Sequence, residues 1–288
     1  MKYLLIPLLC CLAVSKVTLQ SNYSKSKQMG LTDNIFFNMM MFAVVGIFFS
    51  PWLIFGNVPI DTYFFGAITG ILSVCFQLTY LFAFSKGKPV LVTTLNNFSM
   101  FIPIAVSCLI FGEPFGISRL VALILATASI LLITLKKDDS KSHNPSSNLW
   151  ILFTFFAFLT NGLLTANQKV YANLASDFNV FGFVASSYVT ATILSLIVFI
   201  VTLKKSDEKF EFNKKALISA GGSGLFLGLF QCVNTYAASV IDGAILYSAY
   251  NCGSTVLFAL VRIIFFGEKL SKRQLAGVFL GVCSIFFM

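Results

Sequence analysis

Charged residues are scarce in this chain, and their scarcity excludes most soluble folds. Only 11% of the 288 residues are charged, whereas 57% are hydrophobic and the mean hydropathy is +0.87. A soluble domain carries about 25% charged residues. The apolar runs between the charges are mostly long enough to cross a bilayer, which takes roughly 20 residues per helix. The composition therefore predicts an integral membrane protein.

Residue types that carry catalysis or bind metals are also few or badly spaced. The one His, His143, lies in a polar break, and all seven Cys fall in apolar runs without metal-ligand spacing. Gly221-Gly222-Ser223-Gly224 lacks the Lys that would follow in a phosphate-binding loop. No apolar run contains paired carboxylates. We therefore predict no enzyme activity, no catalytic residue, no cofactor and no metal site.

Polar breaks divide the chain into ten apolar segments, each a predicted helix. Their bounds are 3–20, 34–55, 63–85, 90–111, 117–135, 149–171, 180–203, 215–238, 243–266 and 271–288. The first segment lacks a small-x-small cleavage pattern, so we expect a retained helix instead of a signal peptide. The predicted fold is an all-α integral membrane protein with ten transmembrane helices in one membrane domain.

The second half of the chain repeats features of the first at an offset of 155 positions. Phe111-Gly112-Glu113 closes the fourth segment, and Phe266-Gly267-Glu268 closes the ninth. The same offset pairs Asn96 with Asn251, Ser99 with Ser254, Leu120 with Leu275, Ser129 with Ser284 and Ile130 with Ile285. We predict a first five-helix repeat at 1–137, a polar linker at 138–148 and a second repeat at 149–288. An odd number of helices reverses the second copy, so the two repeats should be inverted.

Small residues four apart recur at matched places in both halves. Gly66-x-x-x-Gly70 in the third segment corresponds to Gly224-x-x-x-Gly228 in the eighth. The fifth and tenth segments carry Ala122-x-x-x-Ala126 and Gly277-x-x-x-Gly281. Such residues lie on one helix face and let a neighbouring backbone approach closely. The pattern predicts tight helix packing at equivalent positions of the two repeats.

Polar side chains inside the apolar segments are the candidates for a binding cavity. A helix in lipid makes all its backbone hydrogen bonds internally, so polar side chains are not needed for that purpose and their presence indicates another role. Asn and Gln concentrate in the third, fourth, eighth and ninth segments, which are repeat equivalents. Two interpretations stay open: interhelical hydrogen bonds, worth about 0.6 kcal/mol each, and a cavity for a hydrophilic solute. The candidate substrate-binding residues are Gln77, Tyr80, Asn96, Asn97, Gln231, Tyr236, Tyr247, Tyr250 and Asn251.

Three cations and one proline stand out within the helices. Lys16, Lys169 and Arg262 lie near predicted helix ends. Each side chain can snorkel to the interface, or it can be the counter-charge of an anionic substrate or a carboxylate. Pro103 lies inside the fourth segment and should kink or open that helix, whereas the ninth has Phe258 at the equivalent position.

The net charge of +9 does not indicate nucleic-acid binding, because Lys and Arg lie between the apolar segments instead of along one polar face. They concentrate in the loops after the first, third, fifth, seventh and ninth segments. The positive-inside rule would place those loops in the cytoplasm and both termini outside.

The duplicated helices, with a Gly-Glu pair closing the fourth and ninth before a segment rich in small residues, resemble the drug/metabolite transporter superfamily in its EamA-like branch. The resemblance covers essentially the whole chain. It implies a secondary carrier that works by alternating access in the plasma or inner membrane, with both termini in the cytoplasm, opposite to the charge bias. It also implies a cavity lined mainly by the first, third, fourth, sixth, eighth and ninth segments, with the fifth and tenth peripheral.

The sequence thus predicts a permease for a small polar or amphiphilic metabolite, with amino acids as one class. The expected partners are a small-molecule substrate and the lipid bilayer. Two alternatives stay open: a non-transporting membrane receptor or assembly partner, and a multidrug exporter of lipophilic cations. Substrate identity, direction, proton or ion coupling, and the choice between monomer and homodimer stay open as well.

Overall fold

The computed structural model describes residues 2–26, 30–86, 92, 95–134, 149–205, 214–266 and 271–287. Every regular element within these ranges is helical. The α-helices are α1 (Leu5–Ser26), α2 (Leu31–Phe49), α3 (Pro51–Phe55), α4 (Ile60–Lys86), α5 (Phe101–Leu109), α6 (Ile117–Thr134), α7 (Leu149–Leu174), α8 (Val180–Lys205), α9 (Lys214–Val240), α10 (Gly243–Phe266) and α11 (Lys272–Phe286). The predicted linker at 138–148 and the Gly267-Glu268 pair lie outside the described residues.

Among the described residues, seven helices are long and apolar enough to cross a membrane. They cover Lys2–Gln20, Leu31–Phe55, Ile60–Ala83, Leu149–Leu174, Val180–Lys205, Lys214–Val240 and Gly243–Val261. Two shorter apolar helices cover Leu95–Leu109 and Ile117–Ile133. The all-helical fold is therefore confirmed for the described residues, with seven candidate membrane spans, while the count of ten spanning helices stays a prediction.

One predicted helix is divided in the structure. The segment 34–55 becomes α2 and the short α3, with Pro51 at the start of α3. A proline has no backbone N–H to donate within a helix, but it fits the first helical turn, where no donor is needed. The junction also holds Ser50, whose hydroxyl donates to the Ile47 carbonyl at 2.9 Å.

Pro103 coincides with an irregular fourth helix, as its missing N–H predicts. Residues Phe98–Met100 form a 3₁₀ turn, and α5 begins directly after it. A proline at 103 cannot donate to the carbonyl of Ser99, so the regular α-helical bond is lost there. The equivalent α10 is one continuous helix from Gly243 to Phe266. The two repeats therefore differ in the regularity of this helix.

The glycine pairs mark reciprocal packing between the halves. A Cβ on Gly66 or Gly70 would come within 2.4 Å of the α8 residues Ser186 and Ser187. A Cβ on Gly224 would lie 2.7 Å from the Met41 carbonyl of α2. Thus α4 packs closely on α8 while α9 packs closely on α2, which is the relation that two equivalent repeats predict.

The helices α6 and α11 pack against each other through their small residues. Ala122 and Ala126 are buried, and the Ser129 hydroxyl donates to the Gly277 carbonyl of α11 at 2.7 Å. A Cβ on Gly281 would lie 2.6 Å from Val256 of α10. This pair forms one side of the bundle, as predicted for the fifth and tenth segments.

Adding one methyl group at Gly70 should destabilise the bundle, whereas the same change at Gly221 should not. In Gly70→Ala the new Cβ would lie 2.4 Å from the Ser187 backbone oxygen, so a helix must move. We expect a loss of about 1–3 kcal/mol from this overpacking. A Cβ on Gly221 would meet no described neighbour within 4 Å, and Ala is favoured over Gly in a helix by roughly 0.5–1 kcal/mol. Thermal unfolding in detergent measures the stability of both variants. Equal unfolding midpoints for Gly70→Ala and Gly221→Ala would contradict the close packing at Gly70.

Candidate functional site

A cavity of about 540 Å³ lies between the two halves of the bundle. The described residues that line it come from α1, α2, α4, α7, α8, α9, α10 and the helical residues 95–100 that precede α5. All six segments that the family resemblance implied contribute to the wall, and α2 and α8 contribute in addition. No described residue of α6 or α11 lines the cavity.

Eight of the nine predicted binding residues line this cavity: Gln77, Tyr80, Asn96, Asn97, Gln231, Tyr247, Tyr250 and Asn251. Five of them come from the fourth and ninth segments, and the other three from the third and eighth. The structure thus brings together side chains that are up to 174 positions apart, Gln77 and Asn251.

The expectation that Tyr236 faces the cavity is wrong. Tyr236 is 49% exposed and is not among the described residues that line the cavity. At 3.6 residues per turn, Tyr236 lies about 140° around the helix from Gln231. Asn234 lies only about 60° from Gln231 on the same basis, and it does line the cavity. Helical periodicity within the eighth segment could have found this.

Several polar lining residues were not among the nine candidates. They are Lys16, Gln20, Asn34, Asn38, Ser73, Ser99, Asn161, Thr165, Gln168, Tyr188 and Asn234. Most share the signal that identified the others, a polar side chain within an apolar run. What the sequence did not provide was the neighbour of each helix, because packing decides which polar face meets the cavity.

Four buried polar side chains form a continuous hydrogen-bonded chain across α7, α8 and α9. The Asn234 amide donates to Gln168 Oε1 at 2.8 Å, and Gln168 donates to Gln231 Oε1 at 2.7 Å. Gln231 in turn donates to the Tyr188 hydroxyl at 2.8 Å. None of the four is more than 6% exposed. Such a network fixes the rotamers of its members and presents an ordered polar wall.

Two further pairs join neighbouring helices beside the cavity. Gln77 of α4 donates to Asn38 Oδ1 of α2 at 2.8 Å. Asn161 of α7 donates to the Ser99 hydroxyl at 2.7 Å. These contacts show that interhelical hydrogen bonding and cavity lining are not exclusive, since the same side chains do both.

Two polar groups of cavity-lining residues have no hydrogen-bond partner in the part of the chain that the structure describes. Asn96 Oδ1 and the Tyr247 hydroxyl are buried and have no hydrogen-bond partner among the described residues. Asn251 donates to the Tyr247 carbonyl in its own helix at 2.8 Å. A buried polar atom without a partner costs about 1–3 kcal/mol. A polar ligand in the cavity could supply the missing hydrogen bonds.

An ion pair lies at one end of the bundle, beyond the cavity. Lys169 Nζ is 2.6 Å from Glu113 Oε1, and the side chains are 2% and 12% exposed. Lys169 also donates to the carbonyls of Ala238 and Ile241, at 2.9 and 3.1 Å. The expected counter-charge for Lys169 is therefore a carboxylate of the other repeat, and snorkelling is wrong for this residue. All three donors of the ammonium group have an acceptor.

Helix ends stabilise both charges of this pair. Glu113 Oε2 accepts from the Gly243 backbone N–H at 2.6 Å, at the N-terminus of α10. The Lys169 acceptors lie at the C-terminus of α9. A negative charge at a helix N-terminus and a positive charge at a C-terminus are each favoured by the helix dipole. The Glu113–Lys169 pair thus ties the end of the first repeat's fourth segment to three helices of the second repeat.

The Gly112 backbone explains why Gly precedes Glu at this position. Gly112 has φ +63, the left-handed region that residues with a Cβ rarely adopt. The turn brings the Glu113 N–H back to the Ser107 carbonyl at 3.2 Å and ends the helix. A second ion pair, Arg119 to Asp242 at 2.6 Å, lies nearer the surface at the same end. Both pairs join the two repeats.

Comparison with known proteins points to one family. The model of the EamA-like transporter family matches the chain twice, at residues 4–135 and 148–288. One solved structure, described only as a crystal structure of a protein, covers 99% of this chain and 95% of that chain with a TM-score of 0.78. At 12% identity it shows that the fold is shared and nothing more. No curated protein matches the sequence.

Proposed function

Because this chain belongs to the EamA-like transporter family, we propose that it is a secondary carrier that moves a small polar or amphiphilic metabolite across the plasma or inner membrane. The single observation that carries the proposal is the cavity of about 540 Å³ with Asn, Gln and Tyr on its walls. Small-molecule sites typically enclose about 300–1,000 Å³. Amino acids are the class to test first, because their size and polarity fit such a space.

The polar wall of the cavity replaces the hydrogen bonds that a hydrophilic solute loses when it leaves water. Desolvating an amide or hydroxyl without a new partner costs about 1–3 kcal/mol on the protein scale. The chain from Asn234 to Tyr188 offers preformed hydrogen-bonding groups, and Asn96 and Tyr247 offer groups that no described protein atom occupies. The solute can therefore exchange water for protein contacts at little net cost, which a carrier needs.

Alternating access would follow from the two repeats around this cavity. We take ten helices in two inverted repeats as the working architecture, with the substrate site at their interface. The Glu113–Lys169 and Arg119–Asp242 pairs connect the repeats at one end of the bundle. In the proposed cycle these pairs hold that end closed, and they must separate when the cavity opens there. The carrier acts as a monomer or a homodimer, and the cycle requires no covalent step.

Alanine at Asn96 should lower transport by about tenfold or more without lowering protein abundance. Asn96 Oδ1 is buried at the cavity wall without a partner among the described residues, so its removal leaves none of their groups unsatisfied. The lost contact to substrate would be worth about 1–2 kcal/mol, and each 1.4 kcal/mol is tenfold in affinity. The measurement is uptake of labelled amino acids by proteoliposomes, normalised to the reconstituted protein.

The matched control is Tyr236→Ala. Tyr236 was predicted from the same sequence pattern but is 49% exposed and does not line the cavity, so uptake should be retained. Equal losses of uptake and abundance in Asn96→Ala would favour a structural role for this residue. Absence of flux for any solute class in the wild-type proteoliposomes would instead favour a receptor or an assembly partner.

A further inference from the structure

Lys16 lies within the membrane bundle and carries the only formal charge among the described residues that line the cavity. Its ammonium group has no hydrogen-bond or ion-pair partner in the described part of the chain. No Asp or Glu of the described chain lines the cavity with it. An ionisable residue inside a membrane protein usually has a partner, because an isolated charge is expensive there.

Lys169 shows how this protein satisfies a structural lysine. That ammonium has a carboxylate at 2.6 Å and two carbonyls at 2.9 and 3.1 Å, so every donor is used. Lys16, on the equivalent helix of the first repeat, has none of these contacts within the described ranges. The two lysines thus have different roles, and the missing partner of Lys16 is not a protein group that the structure describes.

Gln20 lies one helical turn beyond Lys16 and also lines the cavity. Residues four apart are neighbours on one helix face. The Gln20 amide makes no hydrogen bond within the described chain, so its two N–H donors are free to bind a ligand. An ammonium and an amide on adjacent turns together present several hydrogen-bond donors. The two oxygens of a carboxylate can accept hydrogen bonds from such a set.

We propose that Lys16 and Gln20 are the anchor for a carboxylate of the substrate, an inference that rests on the proposed carrier function. One ammonium neutralises one negative charge, so a monoanionic carboxylate fits better than a phosphate dianion. Asn96 Oδ1, which has no donor among the described residues, requires one, so the same substrate carries an N–H or O–H group. Amino acids and hydroxy acids combine both groups. A lipophilic cation would meet a like charge and no carboxylate of the described chain.

The test is ligand-induced thermal stabilisation of the purified full-length protein in detergent. The probes are matched sets: each proteinogenic amino acid, its carboxamide, the corresponding amine without the carboxylate, and the 2-hydroxy acid. A ligand that binds the folded state raises its stability with concentration, which yields Kd. We expect saturable shifts only from carboxylates. In Lys16→Gln the Kd of those ligands should rise by about ten- to a hundredfold, the usual range for losing a charge-assisted hydrogen bond.

Three variants keep the result interpretable. Lys16→Arg retains the charge and should retain a larger part of the affinity than Lys16→Gln. Lys204→Gln, the same substitution at an exposed lysine near the end of α8, should leave every Kd unchanged. Without ligand, Lys16→Gln should melt no lower than the wild type, because it removes a charge that has no partner in the described chain. A lower midpoint would reveal a structural partner and overturn the proposal.

Failure of the anchor and failure of the carrier function give different results. If carboxamides or amines stabilise the protein as well as carboxylates do, or if Lys16→Gln binds carboxylates unchanged, the anchor is wrong and Lys16 does not bind the carboxylate. The carrier function would still stand if Asn96→Ala abolished those shifts. If no probe shifts the midpoint and proteoliposomes show no flux, both proposals are overturned.

Discussion

Lys169→Met is expected to destabilise this protein by about 3–5 kcal/mol, the usual effect of removing one partner from a buried ion pair. The substitution leaves the Glu113 carboxylate, 12% exposed, with only the Gly243 N–H at 2.6 Å to stabilise its charge among the described groups. It also leaves the carbonyls of Ala238 and Ile241 without their donor. The thermal midpoint of the purified protein, and its abundance in the membrane, should both fall.

A double-mutant cycle tests whether the pair is responsible. Glu113→Gln removes the carboxylate charge and should lower stability on its own, because Lys169 then lacks its counter-charge. The double variant Lys169→Met with Glu113→Gln should be more stable than the sum of the single effects predicts, since neither charge of the pair is then left without the other. Strictly additive losses would show that the two side chains do not interact.

Gln231→Leu is expected to reduce transport by about tenfold or more, with a smaller effect on abundance. Gln231 donates to the Tyr188 hydroxyl at 2.8 Å and accepts from Gln168 at 2.7 Å. Its loss removes two links of the chain and the cavity-facing amide together. The lost hydrogen bond between this amide and the substrate would be worth about 1–2 kcal/mol, and each 1.4 kcal/mol is tenfold in affinity. Uptake by proteoliposomes, normalised to protein, measures this.

Tyr188→Phe is the matched comparison for Gln231→Leu. It deletes only the hydroxyl at the end of the same chain, so a single hydrogen bond is lost. Its effect on uptake should be clearly smaller than that of Gln231→Leu. If both variants lose uptake only in proportion to their abundance, the network has a structural role and does not contribute to transport.

The candidate residues show where helical periodicity is enough and where it is not. Asn96 and Asn251 were identified from the repeat, and both line the cavity. Tyr236 is polar and lies in the same segment as Gln231, yet it faces outwards. Residue type alone does not fix the direction of a side chain. The five-residue spacing between Gln231 and Tyr236 places them about 140° apart around the helix, so the sequence alone could have excluded Tyr236 from the face of Gln231.

The ion pair at the end of the bundle required three-dimensional information. The sequence identified Glu113 at a helix end and offered a carboxylate as one partner for Lys169. It offered snorkelling as well, because 56 positions and several helices separate the two residues. Only the packing of α7 against the ends of α9 and α10 brings the ammonium to the carboxylate and the two carbonyls.

The class of this protein could be read from its sequence without any structural information. Low charge, long apolar runs and a repeated Phe-Gly-Glu motif are local or periodic signals, and they predict membrane helices and a duplication without any contact information. Which polar helix faces meet at the cavity depends on how the helices pack. Three findings depend on neighbours that are distant in sequence. They are the contribution of α2 and α8 to the cavity, the ion pair of Lys169, and the absence of a partner for Lys16 in the described chain. Burial and hydrogen bonding are properties of the packed bundle, so a single helix cannot reveal them.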